Sequence, residues 1–462
     1  MSKNIVIIGG GITGLSAAWE LQKHAGDSLH ITLLERENQW GGKISTKKLI
    51  TPEGDSISID GGPESFVTRK PEVWDLAHEL GIQNKLTDPG SETSHMYVLD
   101  GGVPTPVPLS PAAFIRSPLM TTKGKLRMLA EPFIPAKRDN ADESLAEFAS
   151  RRLGVEAMEK FIGPILAGIY NTDPHRQSIL TTSPIMREME AEYGGLFKGA
   201  LGRMRAARKQ KNESKPPRFI AFEQGAQDLI DALSVQMEAN GADLRLNVET
   251  VKVEPHANGY AVTLGDSEVL YADALILATP ANASAQILDG VGTEVSSMLE
   301  KIRHENIGTI SLVYRAEDVQ MAKRIHGLMV PRREGRAIDA VTFTSLKMPT
   351  RAPQELLLLR VFFGGGKPEL VEFEDDALLS KVSEELADLL GIAAEPIEMV
   401  PFRWPCSFPQ ADVGHLDLVD EIENLLPKGV YVAGSSYRGI GVPDCIRQGQ
   451  QAADDVVNYL AL

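Results

Sequence analysis

The sequence predicts an α/β protein: a discontinuous Rossmann-like domain, a second domain built on a mixed sheet, and a helical cap. Three observations carry that expectation. A β-branched run, Ile5-Val6-Ile7-Ile8, passes straight into Gly9-Gly10-Gly11-Ile12-Thr13-Gly14 and then into Leu15 to Leu21, whose small and apolar residues recur at helical spacing. A second strand pattern, His30 to Leu34, ends in Glu35. Two more strand-then-glycine patterns stand far downstream, at Leu275 to Pro280 and Gly429 to Gly434, so the sheet must be built from distant segments.

The opening unit reads strand, glycine turn, helix. Glycines are needed there because the backbone turns tightly and approaches a pyrophosphate without a Cβ in the way, while the helix N-terminus offers free N–H groups to the anion. Glu35 lies 21 residues beyond Gly14, close to the spacing at which a strand-end carboxylate accepts hydrogen bonds from an adenosine ribose. A bare glycine fingerprint says little; strand, glycines, helix, strand and acid in register say dinucleotide.

The residues after Glu35 select the dinucleotide. Arg36-Glu37-Asn38-Gln39-Trp40-Gly41-Gly42-Lys43-Ile44 resembles the extended FAD signature of the amine oxidase, phytoene desaturase and GDI-like superfamily. The resemblance implies that Arg36 and Lys43 meet the FAD phosphates and that Gly42 lets the chain pass close to a non-covalently held FAD. A third glycine element, Asp60-Gly61-Gly62-Pro63, resembles the stretch that lies along the flavin ring, although the same residues would make a plain turn anywhere. Further on, Asp243 to Val253 alternates as one strand, in which the Val248 backbone is implied to contact adenine. Gly434 closes the last strand, and the turn that follows it precedes an apolar helix, here for the flavin carbonyl and ribityl oxygens.

These segments place the FAD-binding domain at 1–70, 220–290 and 425–462. Residues 71–215 read as a mainly helical cap with a membrane-facing side left open. Runs such as Thr309 to Tyr314 and Glu355 to Phe363 read as strands of a substrate-binding mixed-sheet domain over 300–424.

Composition narrows the function. With 462 residues, 43% hydrophobic and 24% charged, the chain is long enough for several domains sharing a large core. A formal net charge of −16 repels nucleic acid. We read no export signal and no apolar run near the ~20 residues of a membrane span, so a soluble, cytoplasmic protein is expected, with peripheral membrane contact left open. Two cysteines, Cys406 and Cys445, fit a reducing compartment; Cys445 reads as a packed thiol. The nine histidines show no metal-ligand spacing, and no metal is expected. One basic stretch, Lys198 to Arg218, reads as a solvated linker or, more sharply, as a rim attracting a polycarboxylate or a membrane.

More specific are Pro164 to Tyr170, Phe402 to Gln410 with Gly414-His415, and Gly439-Ile440-Gly441-Val442-Pro443-Asp444-Cys445-Ile446. In this order and along essentially the whole chain, they resemble the protoporphyrinogen and coproporphyrinogen III oxidase family. That resemblance implies cofactor roles for Gly9, Gly10, Gly11, Ile12, Thr13, Gly14, Glu35, Arg36, Gly42, Lys43, Asp60, Gly61, Gly62, Pro63, Val248, Trp404, Gly441, Val442 and Pro443, and puts Gly168 and Tyr170 beside the tetrapyrrole. Two departures matter. Asn171-Thr172-Asp173 stands where the family commonly has Ala-Gly-Asp, and Met96, beside His95, stands where mitochondrial and plastid members place a propionate-binding arginine. The second leans toward the bacterial coproporphyrinogen type, with its cations elsewhere. The implied reaction is a six-electron dehydrogenation of a porphyrinogen by FAD and dioxygen, with peroxide released, no side-chain acid or base named, and other haem-synthesis enzymes as further partners. Rival readings are a protoporphyrinogen IX oxidase, a carotenoid desaturase or amine oxidase, and a GDI-like binding module without redox chemistry.

Overall fold

A computed structural model describes residues 2–25, 28–50, 54, 56–89, 96–108, 110–209, 217–320 and 325–461. Five parallel strands form the central sheet in the order Asp243–Arg245, Leu29–Leu34, Lys3–Ile8, Ala274–Leu277, Val430–Val432. The β-branched opening strand sits in the middle because it is buried on both faces. Ile5 and Ile7 pack with the opening helix Ile12–Ala25 and the closing helix Val442–Leu460, while Val6 and Ile8 pack with Val253, Val262 and Leu275 on the other side. The two helices cross at Gly449, where a Cβ would lie 2.3 Å from the Thr13 carbonyl oxygen. Only glycine permits that crossing.

The single strand expected over Asp243 to Val253 is two. Asn247 adopts φ 57°, in the left-handed region that Asn tolerates better than most residues. Asp243–Arg245 therefore stays in the parallel sheet while Thr250–His256 leaves for a three-stranded antiparallel sheet. The kink also turns the Asn247 and Val248 N–H groups back onto the carbonyls of Glu37 and Glu35, at 3.0 and 2.9 Å.

The second sheet has seven strands in the order Glu398–Pro409, His304–Arg315, Leu356–Phe363, Ile338–Thr342, Gly327–Met329, Met96–Asp100, Val103–Pro106. It is mixed: Gly327–Met329 runs parallel to Met96–Asp100 and the other pairs are antiparallel. Helix Asp375–Leu390 covers one face, its Leu378, Val382 and Leu386 packing with Ile310, Leu312, Leu359 and Val361. The stretch expected to be mainly helical from residue 71 thus supplies two strands here. Gly101 and Gly102, at φ 60° and 76°, make the hairpin turn between them, and helices dominate only from Pro111 onward.

The cap is organised around Leu145–Leu153, Gly163–Tyr170, Pro184–Tyr193 and Leu196–Lys209. Ser144 and Glu147 close a reciprocal capping box at the start of the first of these. Buried charge sits in its centre: Arg152 and Glu131 are both fully buried and paired, and Glu190 receives Arg151 and Arg187. The basic stretch from Lys198 is helix as far as Lys209 rather than linker, with Arg203 paired to Glu188 at 2.9 Å; residues 210–216 lie outside the described residues. Among the described residues no helix is long and apolar enough to cross a membrane.

Candidate functional site

The glycine turn is held in shape by the acid that ends the next strand. Glu35 accepts from the Gly10 N–H at 2.7 Å and from the Glu37 N–H at 2.8 Å. Gly9 adopts φ 110°, and a Cβ on Gly14 would lie 2.0 Å from the Gly9 carbonyl oxygen, so the first helical turn presses directly against the turn before it. A Cβ on Gly11, by contrast, would meet nothing within 4 Å. The space beside Gly11 is therefore open to a phosphate at the helix N-terminus, with Ile12 and Thr13 buried behind it.

The second glycine loop completes this wall. Gly41 bridges Gly11, its N–H donating to the Gly10 carbonyl at 2.9 Å, and Gly42 follows in the left-handed region at φ 59°. Lys43 turns inward, where no carboxylate among the described residues pairs with it. Burial pulls its pKa down, and its charge reaches Cys445 and His304. An inward cation without an anion, beside a helix N-terminus, fits a pyrophosphate. Arg36 does not join it: the guanidinium is exposed and paired with Glu37 at 3.1 Å.

The loop from Asp60 is more than a turn. A Cβ on Gly62 would lie 1.9 Å from the Lys43 carbonyl oxygen, which brings the two loops into backbone contact. Thr309 Oγ1 donates to the Gly61 carbonyl at 3.0 Å, as does Arg360, and the Asp60 carboxylate is taken up by Thr46 at 2.5 Å, the Ala226 N–H at 3.0 Å and Arg351 at 2.7 Å. Asp60 thus faces protein rather than the open space. Burial pushes its pKa up against the pull of Arg351. For Glu64, burial works the same way but is outweighed by Arg360, Lys347 and the Thr344 hydroxyl, which hold it low. Pro63, between the two acids, is partly exposed.

On the far side, Gly434, at φ 126°, donates its N–H to Gln448, and Gly441 precedes Val442 and Pro443 at the start of the closing helix. Asp444 in its first turn is paired with Lys70 at 2.5 Å. Trp404 stacks on Phe402 with ring centroids 6.0 Å apart, on the strand facing Gly61. Val248 packs at the edge of the core under the Glu35 end of the sheet. Sequence reasoning missed His304. Its Nε2 lies 3.0 Å from the Ser436 hydroxyl, which in turn accepts from the Ala281 N–H at 3.1 Å. Burial, aided by Lys43, brings His304 down to about 4, so the ring is neutral at pH 7. Burial likewise lifts the Cys445 thiol to about 11, consistent with a packed side chain.

Met96 joins Val98, Val107, Phe161 and Ile165 in a small apolar cluster that leads into helix Gly163–Tyr170. Gly168 and Tyr170 lie on that helix; His95 and the Tyr170 side chain are outside the described residues. The nearest metal-like grouping, Glu20, His24 and Asp454, is an ion-pair clasp between the opening and closing helices, with Lys23 on Glu20 at 2.7 Å.

A Rossmann-like sheet, two glycine loops in backbone contact and an inward lysine define a flavoprotein with a nucleotide wall and a separate sheet facing the flavin position. Coproporphyrinogen III oxidase of Bacillus subtilis is 31% identical over 99% of this chain and 98% of its own length. The Staphylococcus aureus protein of that name is 28% identical over the whole of both chains. A solved structure from Exiguobacterium sp. 255-15, described provisionally as a protoporphyrinogen oxidase, superposes with a TM-score of 0.85 at 28% identity, covering 100% of both chains. Residues 12–457 match the family model described as flavin containing amine oxidoreductase. The chain belongs to that family and is an FAD-dependent oxidoreductase.

Proposed function

We propose that this enzyme oxidises coproporphyrinogen III to coproporphyrin III, a six-electron dehydrogenation with dioxygen as acceptor and hydrogen peroxide as product. The observation that carries the reading is the full-length match to the Bacillus subtilis coproporphyrinogen III oxidase, which spans the cap and the mixed sheet as well as the nucleotide-binding segments. A shared FAD fold alone would not extend through the substrate-facing parts at that level.

FAD, when bound, supplies the hydride acceptor and passes the electrons to dioxygen. The chain's own residues do the positioning. Ile12 to Gly14 and Lys43 hold the pyrophosphate, Glu35 the adenosine ribose, and the Val248 backbone the adenine. Gly61 to Pro63, Trp404 and Gly441 to Pro443 frame the flavin. Neutral His304, fixed by Ser436, adds no charge beside Lys43. The tetrapyrrole lies between the mixed sheet and the cap helix that carries Gly168 and Tyr170, with Met96 at the base of that helix. Two free thiols fit a cytoplasmic enzyme.

A second reading, protoporphyrinogen IX as substrate, is supported by the likeness to the Exiguobacterium structure. Aerobic turnover of freshly reduced coproporphyrinogen III and protoporphyrinogen IX, followed side by side by porphyrin fluorescence, separates the two. Faster oxidation of the tetracarboxylate is the expected result; preference for the dicarboxylate replaces the first reading with the second, and no oxidation of either removes both.

A further inference from the structure

A continuous ladder of charge runs along the seam between cap and mixed sheet. Arg176, in the chain leaving helix Gly163–Tyr170, reaches Asp412 at 2.7 Å; Asp412 also receives Arg303 at 3.0 Å; Arg303 pairs with Glu305; and Glu305 receives Arg332 at 2.8 Å. Arg332 then donates to the Asn171 carbonyl at 3.3 Å, one residue beyond Tyr170. Asp339, held by the Gly365 and Gly366 N–H groups, lies within charge range of Arg332 and Glu305, so the seam sets three cations against three acids in a chain whose total is −16. Each of these arginines keeps part of its side chain in solvent.

The ladder is tied to the cofactor side in two ways. His304, between Arg303 and Glu305 in the chain, is hydrogen-bonded to Ser436 of the turn that follows Gly434. A small, water-sized cavity of about 20 Å³ lies between Thr172, Gln177, Pro409 and Ala411 at the ladder end and Ile440 of that same turn. Gln177 in its wall is 1% exposed, Gln410 beside it is 2% exposed, and the side-chain carbonyl oxygen of each has no donor among the described residues. A water fits those two buried acceptors, whereas the three arginines, held by acids and each partly in solvent, complement a ligand that bears carboxylates.

We propose that Arg332, Arg303 and Arg176 bind the propionate carboxylates of the substrate, with Glu305 and Asp412 holding the guanidinium groups in place until those carboxylates arrive. The proposal rests on the porphyrinogen reading above and names its specificity-determining residues. It also supplies a cationic partner for the substrate acids at a place other than Met96.

The test uses the FAD-loaded enzyme with Arg332→Gln, Arg303→Gln and the conservative Arg332→Lys. Steady-state kinetics are measured on coproporphyrinogen III and protoporphyrinogen IX, and binding of coproporphyrin III and of its tetramethyl ester is measured by fluorescence. A lost charge-assisted hydrogen bond predicts that Arg332→Gln weakens coproporphyrin III binding roughly 10- to 100-fold. The loss should fall on KM more than on kcat, be partly restored by Arg332→Lys, and spare the uncharged ester. Equal weakening of acid and ester, or a lowered unfolding temperature with unchanged KM, makes the ladder a latch between cap and sheet and overturns the proposal alone. A wild-type enzyme that oxidises neither porphyrinogen overturns the function reading itself.

Discussion

The nucleotide-binding half and the cap are stabilised by different means. In the first, the decisive groups are backbone: the Gly10 N–H on Glu35, the Gly14 approach to the Gly9 carbonyl, and Gly62 against the Lys43 carbonyl. In the second they are charged side chains out of water, with Arg152 and Glu131 fully buried together and Glu190 gathering Arg151 and Arg187. A backbone site demands particular residues at fixed short spacings and so writes itself into the sequence. An ion pair between residues 21 positions apart writes nothing local.

The same contrast orders the expected effects of mutation. Glu131→Gln should cost the most, about 3–5 kcal/mol, because it leaves Arg152 charged and buried and weakens the acceptor for the Leu196 and Phe197 N–H groups. Urea unfolding of the apoprotein measures it, with FAD uptake expected to survive in the folded fraction. A loss under ~1 kcal/mol would erase the distinction between the two halves.

Next comes His304. Its native pKa of about 4 lies below the ordinary value, so as pH falls the unfolded chain takes up the proton first, and stability drops between pH ~6.5 and ~4. The whole window is worth about 3 kcal/mol, most of it between pH 7 and 5. In His304→Gln that part of the pH slope should be missing from apoprotein denaturation curves; an unchanged slope assigns it to other groups.

Gly14→Ala forces a Cβ against the Gly9 carbonyl oxygen and should destabilise by about 1–3 kcal/mol while stripping flavin, read from the visible absorbance per protein. Full flavin content in that variant would show that the turn can yield. Smallest of all is Arg36→Gln. An exposed pair with Glu37 predicts less than a roughly threefold change in FAD affinity by titration, whereas a tenfold loss would restore Arg36 to the phosphates.

Legibility followed the same division. The opening strand, the glycines, Glu35 and the inward Lys43 stood in the sequence at short, fixed spacings. Asp60 was visible but its use was not, because Thr46, Ala226 and Arg351 reach it only through the fold. Arg360 left a faint signal as the lone charge inside the apolar run Leu356–Phe363, and it lies buried against the Gly61 carbonyl. His304 left none, since its bond to Ser436 joins residues 132 positions apart. The cap hid two strands at Met96–Pro106, where prolines and glycines obscured the alternation. Asn247 was the overlooked mark of the broken strand; a residue that tolerates positive φ in an otherwise regular alternation is a place to expect a bend.

The crossing of the opening and closing helices at Gly449 bears on how the protein is made. The strand that ends in the glycine turn leaves a ribosome more than four hundred residues ahead of the helix that packs on it and of the strand Val430–Val432. Until then Ile5 and Ile7 lack part of their cover. Synthesis therefore leaves one apolar face of the opening strand partly bare for most of its duration, although the strands that pair with it, Leu29–Leu34 and Ala274–Leu277, emerge earlier.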